Sequence, residues 1–197
     1  MIKRGIVILL TLTGAVVTLS FLQFSSLRLK AQDKAEREVI QAQAMGQQRA
    51  VGKTFNVTIN IESYSSPEDQ SALIDAFRAG SHDGLVKTLS KMKSKGRVAI
   101  TGTLGYQIAY IRTFATENGR RIRLITDRPI QFREAYANGR TTDYDLSAIE
   151  LNFDKDTKQS DGTLLVAARF KVDKEMRISL ESYGSGPWRL VNVTERY

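Results

Sequence analysis

The chain has 197 residues, of which 42% are hydrophobic and 25% are charged. It is long enough for one substantial core and has the balance of a folded protein. It contains no cysteine, which excludes a disulfide framework, a thiolate nucleophile and a cysteine metal site. The formal net charge is +8, but Lys3, Arg4, Arg28 and Lys30 carry half of it. The remainder shows neither a concentrated basic stripe nor a known motif, so we expect no nucleic-acid partner.

Residues 1–31 have the layout of an export signal. Two positive charges, Lys3 and Arg4, precede an apolar run that extends through residues 5–24, and this order is typical of a signal peptide. The run is also long enough to span a bilayer, and the residues before Ala31 make a poor cleavage site. We therefore predict either a cleaved signal or an inner-membrane anchor formed by residues 5–24. Both alternatives place the rest of the chain outside the cytoplasm, in the periplasm or the extracellular space.

Residues 32–53 are rich in alanine, glutamine and glutamate and lack a strong apolar stripe. Asp33 and Arg37 stand at helical spacing. This composition predicts a polar, partly helical stalk. The segment that follows, residues 54–197, is predicted to be a single α+β domain.

The domain begins with a half-buried strand and a capped helix. Apolar and polar residues alternate from Thr54 to Tyr64, which is the strand period. Ser66 is then a suitable N-cap, with Pro67 at the first helical position and Asp69 three residues after the cap. At helical spacing the apolar residues are Leu73, Ala76 and Phe77. Gly80 is expected to end this helix.

A second helix is predicted immediately afterwards. Ser81 is its expected cap, and Gly96 is its expected end. Leu85, Leu89 and Met92 recur at steps of four and three residues, which places them on one buried face. We therefore expect a helical hairpin inserted after the first strand.

The stretch from Tyr106 to Asp127 predicts a β-hairpin. Asn118-Gly119 is typical of a type I′ turn, which would place Glu117 opposite Arg120. One strand face then carries Ala109, Ile111, Thr113, Ala115, Ile122, Leu124 and Thr126. The opposite face carries Tyr110, Arg112, Phe114, Thr116, Arg121, Arg123, Ile125 and Asp127. The first face is suited to a core, and the second is a mixture of aromatic and arginine side chains.

Only strands are predicted beyond Lys95. They are Arg97–Leu104, Gln107–Thr116, Arg121–Asp127, Ile130–Tyr136, Leu146–Phe153, Thr163–Val172, Met176–Tyr183 and Trp188–Glu195. Short links between successive strands predict an antiparallel meander. The expected fold is α+β: a strongly curved, mainly antiparallel sheet of about eight or nine strands with the helical hairpin.

Two resemblances accompany this prediction. The segments Gly105–Arg112 and Asn118–Leu124 resemble stretches of exported bacterial β-rich proteins that carry no assigned activity. The topology from Phe55 to Val172 resembles the START-like helix-grip fold, which implies a curved sheet around an apolar cavity. The chain departs from that fold after Val172, where two strands replace the gripping helix. A lipocalin-like or other strongly curved sheet is equally compatible.

The sequence offers few candidates for catalysis or metal binding. His82 is the only histidine, no nucleophile elbow is present, and we predict a solvent-exposed residue in the first helical turn. Asp154, Asp156 and Asp161 lie in one stretch, but intervening lysines disturb the calcium-loop pattern, and a hairpin loop explains it better. We therefore expect no cofactor, no metal and no enzymatic activity.

The candidate ligand-binding residues lie on the mixed hairpin face. They are Tyr110, Arg112, Phe114, Arg121 and Arg123. Guanidinium groups over aromatic rings can hold an anionic or flat ligand. In the alternative interpretation, the arginine stems only cover Phe114 and Ile125 while their charges remain in water.

Three functions are compatible with these patterns. The first is an exported, non-catalytic domain that binds an envelope protein or a small apolar or anionic ligand. The second is a carrier of an apolar molecule in a cavity of the curved sheet. The third is an acid/base enzyme with an unrecognised carboxylate or tyrosine pair. A filled interior favours the first, a deep apolar pocket inside the sheet favours the second, and two carboxylates in one cleft favour the third.

Overall fold

The computed structural model describes residues 37–130, 145–155, 160–172, 178–182 and 187–196. The predicted leader at residues 1–31 lies outside these ranges, as do Asp156 and nearly all of the strand predicted at Ile130–Tyr136. The described residues belong to one compact unit of the chain, Glu36–Tyr197. Within them, no helix combines the length and the apolar character needed to cross a membrane.

Strands dominate the described part of the chain. They are β1 (Glu38–Met45), β2 (Thr54–Ile61), β3 (Gly96–Ile100), β4 (Tyr106–Thr116), β5 (Gly119–Thr126), β6 (Leu146–Asp154), β7 (Ser160–Val172), β8 (Ile178–Ser182) and β9 (Trp188–Arg196). A 3₁₀ turn at Gln48–Ala50 joins β1 to β2, and helix α1 (Pro67–Leu89) joins β2 to β3.

The sheet closes on itself. Each strand from β1 to β7 pairs with the next, and β9 pairs with both β7 and β1, which completes an antiparallel ring of eight strands. Strand β8 stands outside the ring and pairs with the last residues of β7. The predicted α+β class with a strongly curved antiparallel meander is confirmed, and the curvature extends to a barrel. Strand β1 was not predicted from the sequence. The helical segments therefore follow the second strand of the barrel and not the first.

The prediction of a stalk at residues 32–53 is wrong for Glu38–Met45, which is one of the eight strands of the barrel. Glu38, Ile40, Ala42 and Ala44 alternate toward the interior and are buried. Alanine and glutamine favour a helix in isolation, but pairing with β2 and β9 satisfies the backbone, and burial of the alternate residues outweighs that preference.

Apolar side chains fill the barrel interior. Buried members of this core include Val57, Ile59, Ile61, Val98, Ile108, Ile111, Ile122, Leu124, Ile149, Leu151, Leu164, Val166 and Leu190. Trp188 is fully buried among them, and its ring lies 4.8 Å from that of Phe55. An eight-stranded barrel is just wide enough for side chains to fill it, and this barrel follows that rule.

Strands β4 and β5 form the predicted hairpin with a different turn. Thr116 pairs with Gly119, so Glu117–Asn118 is the connecting loop and the register differs by two residues from the expected one. The type I′ turn at Asn118–Gly119 is wrong, because neither residue has a positive φ. A shift by two residues leaves side chains on their original faces, so the mixed face of Tyr110 and Phe114 is preserved.

Two β-bulges redirect side chains from the interior to the outside of the barrel. In β4 the register changes between Ile108 and Tyr110, and Ala109, predicted on the core face, packs with Tyr110 in an outer cluster instead. In β7 a second bulge lies opposite the start of β6, and after it Ala168 and Phe170 join the same outer cluster. Bulges add local twist and re-aim side chains, and here they supply the surface on which α1 packs.

Helix α1 lies on this outer surface and is kinked. Gly80 (φ −136°, ψ 17°) and Ser81 (φ 51°, ψ −141°) leave helical geometry, so the break between the two predicted helical segments is confirmed. The predicted end at Gly96 is wrong, because the second segment ends at Leu89 and Gly96 opens β3. Leu73, Leu85 and Leu89 are buried on the sheet side. They pack with Ala109, Tyr110, Leu146, Ala148 and Ala168.

The start of α1 is fixed by the predicted capping box. The Ser66 hydroxyl accepts the Asp69 N–H at 3.2 Å, and Asp69 Oδ2 accepts the Ser66 N–H at 2.9 Å. Lys95, just before β3, places its Nζ 2.9 Å from the same carboxylate oxygen. These bonds satisfy helix donors that have no partner within the helix and tie its first turn to the barrel.

Asp69→Asn is expected to lower stability at neutral pH but not in acid. Partial burial raises the pKa of Asp69, but bonds from Lys95 and the Ser66 N–H and the charge of Lys95 outweigh it and hold the pKa below its ordinary 3.8. Stability from a lowered pKa is present above the unfolded-state value and is lost as the pH falls through the folded-state value. Urea unfolding should show a difference of roughly 0.5–1 kcal/mol at pH 7 that shrinks below pH 4. A difference independent of pH would contradict the ion pair.

Candidate functional site

A groove of about 530 Å³ lies between α1 and the outer face of strands β4 to β7. The helix contributes Gln70, Leu73, Ile74, Phe77 and Leu85, and the strands contribute Tyr110, Phe114, Arg123, Leu124, Ile125, Ala148, Ile149, Glu150, Thr163, Leu165 and Phe170. Its volume falls in the range of small-molecule sites, and most of its lining is apolar. Ile74 and Phe114 are both 36% exposed, so the groove opens to solvent beside them.

The groove lies where one side of α1 faces the outward side chains of the sheet. Gln70, Leu73, Ile74 and Phe77 recur every three or four residues and therefore share one side of α1. The outward positions of four adjacent strands form most of the opposite wall. The kink at Gly80 and Ser81 changes the direction of the helix. The first segment can therefore take a different direction from the second, whose Leu85 and Leu89 pack on the sheet.

A transverse row of polar residues crosses the sheet at the groove. Arg112 pairs with Arg123, Arg123 with Glu150, and Glu150 with Thr163 in successive strands. The Arg123 Nε donates to Glu150 Oε2 at 2.6 Å, and the Arg121 Nε lies 3.4 Å from Glu150 Oε1. One carboxylate therefore serves two arginines, and the row retains an excess of positive charge.

Phe114 is in contact with two guanidinium groups. The guanidinium carbon of Arg112 is 5.6 Å from its ring centroid, and that of Arg123 is 5.3 Å away. Both distances are within the range of a cation–π contact. The arginines thus cover part of the ring, and the Arg123 side chain remains half exposed.

The structure brings together most of the predicted ligand-binding residues. Tyr110, Phe114 and Arg123 line the groove, and Arg112 stacks on Phe114 beside it. Arg121 does not line the groove: its Nε donates to Asn152 Oδ1 at 2.9 Å on β6 and lies 3.4 Å from Glu150 Oε1. The predicted set therefore separates into four residues around the groove and one that braces the sheet.

His82 is buried, so its predicted solvent exposure is wrong. Its Nδ1 accepts the backbone N–H of Phe170 at 3.2 Å. The kink at Ser81 turns this first residue of the second helical segment toward β7. The imidazole thereby attaches α1 to the sheet at the end of the groove.

A second polar cluster closes one end of the barrel. Arg120, on β5, donates from Nη2 to Glu38 Oε2 at 2.8 Å and also to Glu195. The Tyr64 hydroxyl donates to Glu38 Oε1 at 2.8 Å. Strands β1 and β5 are not neighbours in the ring, so this ion pair crosses the interior. The Arg120 guanidinium also lies 5.1 Å from the ring of Phe153.

Tyr64 is held in its neutral form by this cluster. Burial is the largest cause that raises the pKa of its hydroxyl, followed by the hydrogen bond to Glu38 and the negative charge of that carboxylate. The nearby Arg120 opposes these effects without reversing them. A neutral hydroxyl can donate to the carboxylate, which is the role that the geometry gives it.

Metal chemistry finds no support among the residues that the structure describes. In that part of the chain, no three His, Asp or Glu side chains are grouped so that they could hold an ion. The acidic stretch between Asp154 and Asp161 connects paired strands, since Phe153 faces Ser160. The hairpin interpretation of this stretch is therefore confirmed, and Asp156 lies outside the described residues.

Several residues of the groove were not identified from the sequence. Glu150, Thr163, Leu165 and Phe170 form much of its floor on β6 and β7. Leu164 and Phe170 are six residues apart and would share a face in a regular strand, but the bulge in β7 separates them. A run of outward apolar residues on neighbouring strands was the available signal, because such a face needs a covering element.

The chain is an antiparallel β-barrel with a kinked helix on its outer face and a groove between the two. Comparison of the chain with protein-family models, with curated proteins and with solved structures finds no match.

Proposed function

We propose that this protein is a non-catalytic binding protein that holds a small, predominantly apolar ligand in the groove between α1 and the barrel. The observation that carries the proposal is the groove itself: it measures about 530 Å³, has a mainly apolar lining and is open to solvent beside Ile74 and Phe114. Pockets of this size with a few polar groups at one side are typical of ligand sites. The proposal includes a location outside the cytoplasm, as expected from residues 1–31, and a kinship with exported bacterial proteins.

The position of the apolar side chains distinguishes this proposal from a carrier with a ligand inside the sheet. The barrel interior is occupied by a core that includes Trp188 and Ile59, both essentially inaccessible. A ligand there would have to displace well-packed side chains, which costs several kcal/mol. The groove offers apolar contacts without that cost.

The enzymatic alternative has its best candidate at the end of the barrel. The carboxylates of Glu38 and Glu195 both form ion pairs with the Arg120 guanidinium. Both are bound to the arginine, and Glu38 is only 6% exposed. A cross-barrel ion pair of this kind is suited to holding strands together, and it leaves neither carboxylate directed at a substrate cleft.

The proposal is tested by titration with N-phenyl-1-naphthylamine, a neutral apolar fluorophore. We expect saturable enhancement of fluorescence with one site per chain. Ile74→Asp should weaken binding roughly tenfold, because it replaces a partly exposed apolar wall residue with a charge. Since Ile74 is already in contact with solvent, the variant should fold normally.

Ala72→Asp is the matched control. Ala72 is an exposed residue of α1 that does not line the groove, so the same charge is introduced on another side of the same helix. Its binding should equal that of the unaltered protein. Absence of saturable binding, or equal loss in both variants, would refute the groove as a ligand site.

A further inference from the structure

We infer that the ligand of this groove is a single-chain amphiphile with a carboxylate head, held by Arg112 and Arg123 at the open end beside Phe114. The inference rests on the proposed function and specifies the ligand class. The apolar chain would lie along the groove toward Phe77 and Leu165. The head group would remain at the transverse row of charged residues.

The first argument is the repulsion within the row. Arg112 and Arg123 are direct partners across the β4–β5 pair, and like charges in such positions destabilise a sheet. Arg123 is compensated by Glu150 at 2.6 Å, whereas Arg112 makes no ion pair within the described part of the chain. An anion between the two guanidinium groups would relieve this repulsion.

The second argument is the shape of the recognition surface. Both guanidinium groups lie over Phe114, at 5.6 and 5.3 Å from its centroid. Contact with the ring limits the conformations available to the two arginine side chains. A guanidinium can bind both oxygens of a carboxylate at once. Phe114 and Arg123 also line the groove, which places the charge next to the apolar lining that would take the chain.

The third argument concerns Glu150, which competes for the same arginine. Its carboxylate contacts Arg123 and Arg121 and also lines the groove. A bound carboxylate must therefore share Arg123 with Glu150 and is repelled by it. Removing this charge should improve the binding of an anion relative to that of a neutral molecule.

The test compares dodecanoate with dodecan-1-ol, which has the same chain without the charge. Each is titrated against the protein loaded with N-phenyl-1-naphthylamine. We expect dodecanoate to bind at least fivefold more tightly than the alcohol at low salt, with a smaller preference at high salt. Arg112→Gln should remove most of the preference, and Glu150→Gln should increase it, with each effect read as the ratio of the two affinities in that variant.

Arg97→Gln, which alters an exposed arginine of β3 away from the groove, is the control and should keep the preference. Equal affinity for the acid and the alcohol would overturn this inference while leaving an apolar groove in place. A preference that survives Arg112→Gln would also overturn it. Failure of the fluorophore itself to bind would remove the proposed function and this inference together.

Discussion

Arg120→Ala is expected to destabilise the protein by about 3–5 kcal/mol, because it leaves two carboxylates at the barrel end without their shared counter-charge. Glu38 is almost fully buried, and Glu195 is largely so. Arg120 is the residue that joins them across the interior. The loss should appear in urea unfolding at pH 7 as a lower midpoint.

Two further variants separate the ion pair from the volume of the side chain. Arg189→Ala removes an exposed arginine of β9 and should change stability by about 0.5 kcal/mol or less. Replacement of the three charged residues together, with Arg120→Met, Glu38→Gln and Glu195→Gln, should recover much of the loss, since no unpaired charge remains. A loss below about 1 kcal/mol in Arg120→Ala would contradict a buried cross-barrel pair.

Gly119→Val is expected to destabilise by about 2–3 kcal/mol. Gly119 opens β5, and a Cβ at this position would overlap the backbone carbonyl of Phe153 on β6. The neighbour is main chain that pairs with Arg120 on one side and Ser160 on the other, so it cannot move aside without disturbing the sheet. The reason is therefore close approach between two strands, not the positive φ that the sequence suggested.

Gly80→Ala is the comparison for this variant. Gly80 has a negative φ, and nothing lies within 4 Å of the position that its Cβ would take. Its stability should stay within about 0.5 kcal/mol of the original. Thermal unfolding of both variants measures the contrast, and similar midpoints for the two would show that Gly119 does not face β6 as described.

The parts of the fold that were predictable are those with strong local signals. The alternation in β2, the cap at Ser66 and the break at Gly80 each depend on neighbouring residues, and each is present in the structure. Strand β1 gave no such signal, because two of its inward residues, Ala42 and Ala44, are small. Its burial depends on β9, which lies far along the chain.

The candidate site was predictable on one wall only. The hairpin pattern placed Tyr110, Phe114 and Arg123 on one face, and they line the groove together, because a shift of two residues does not change faces. The sequence also identified Leu73 and Phe77 as a buried stripe, but not the surface that they cover. That surface depends on bulges in β4 and β7 and on pairings between distant residues, which local patterns do not determine.

The measurement that tests the groove most directly is a methyl NMR titration of the protein with dodecanoate. With labelled Ile, Leu and Val methyl groups, we expect the resonances of Ile74, Leu85 and Leu165 to shift in a saturable manner. Those of Ile59 and Val98, which lie in the barrel core, should remain unchanged. Shifts confined to the core methyl groups, with Ile74 and Leu165 unaffected, would place the ligand inside the barrel and contradict the site between α1 and the sheet.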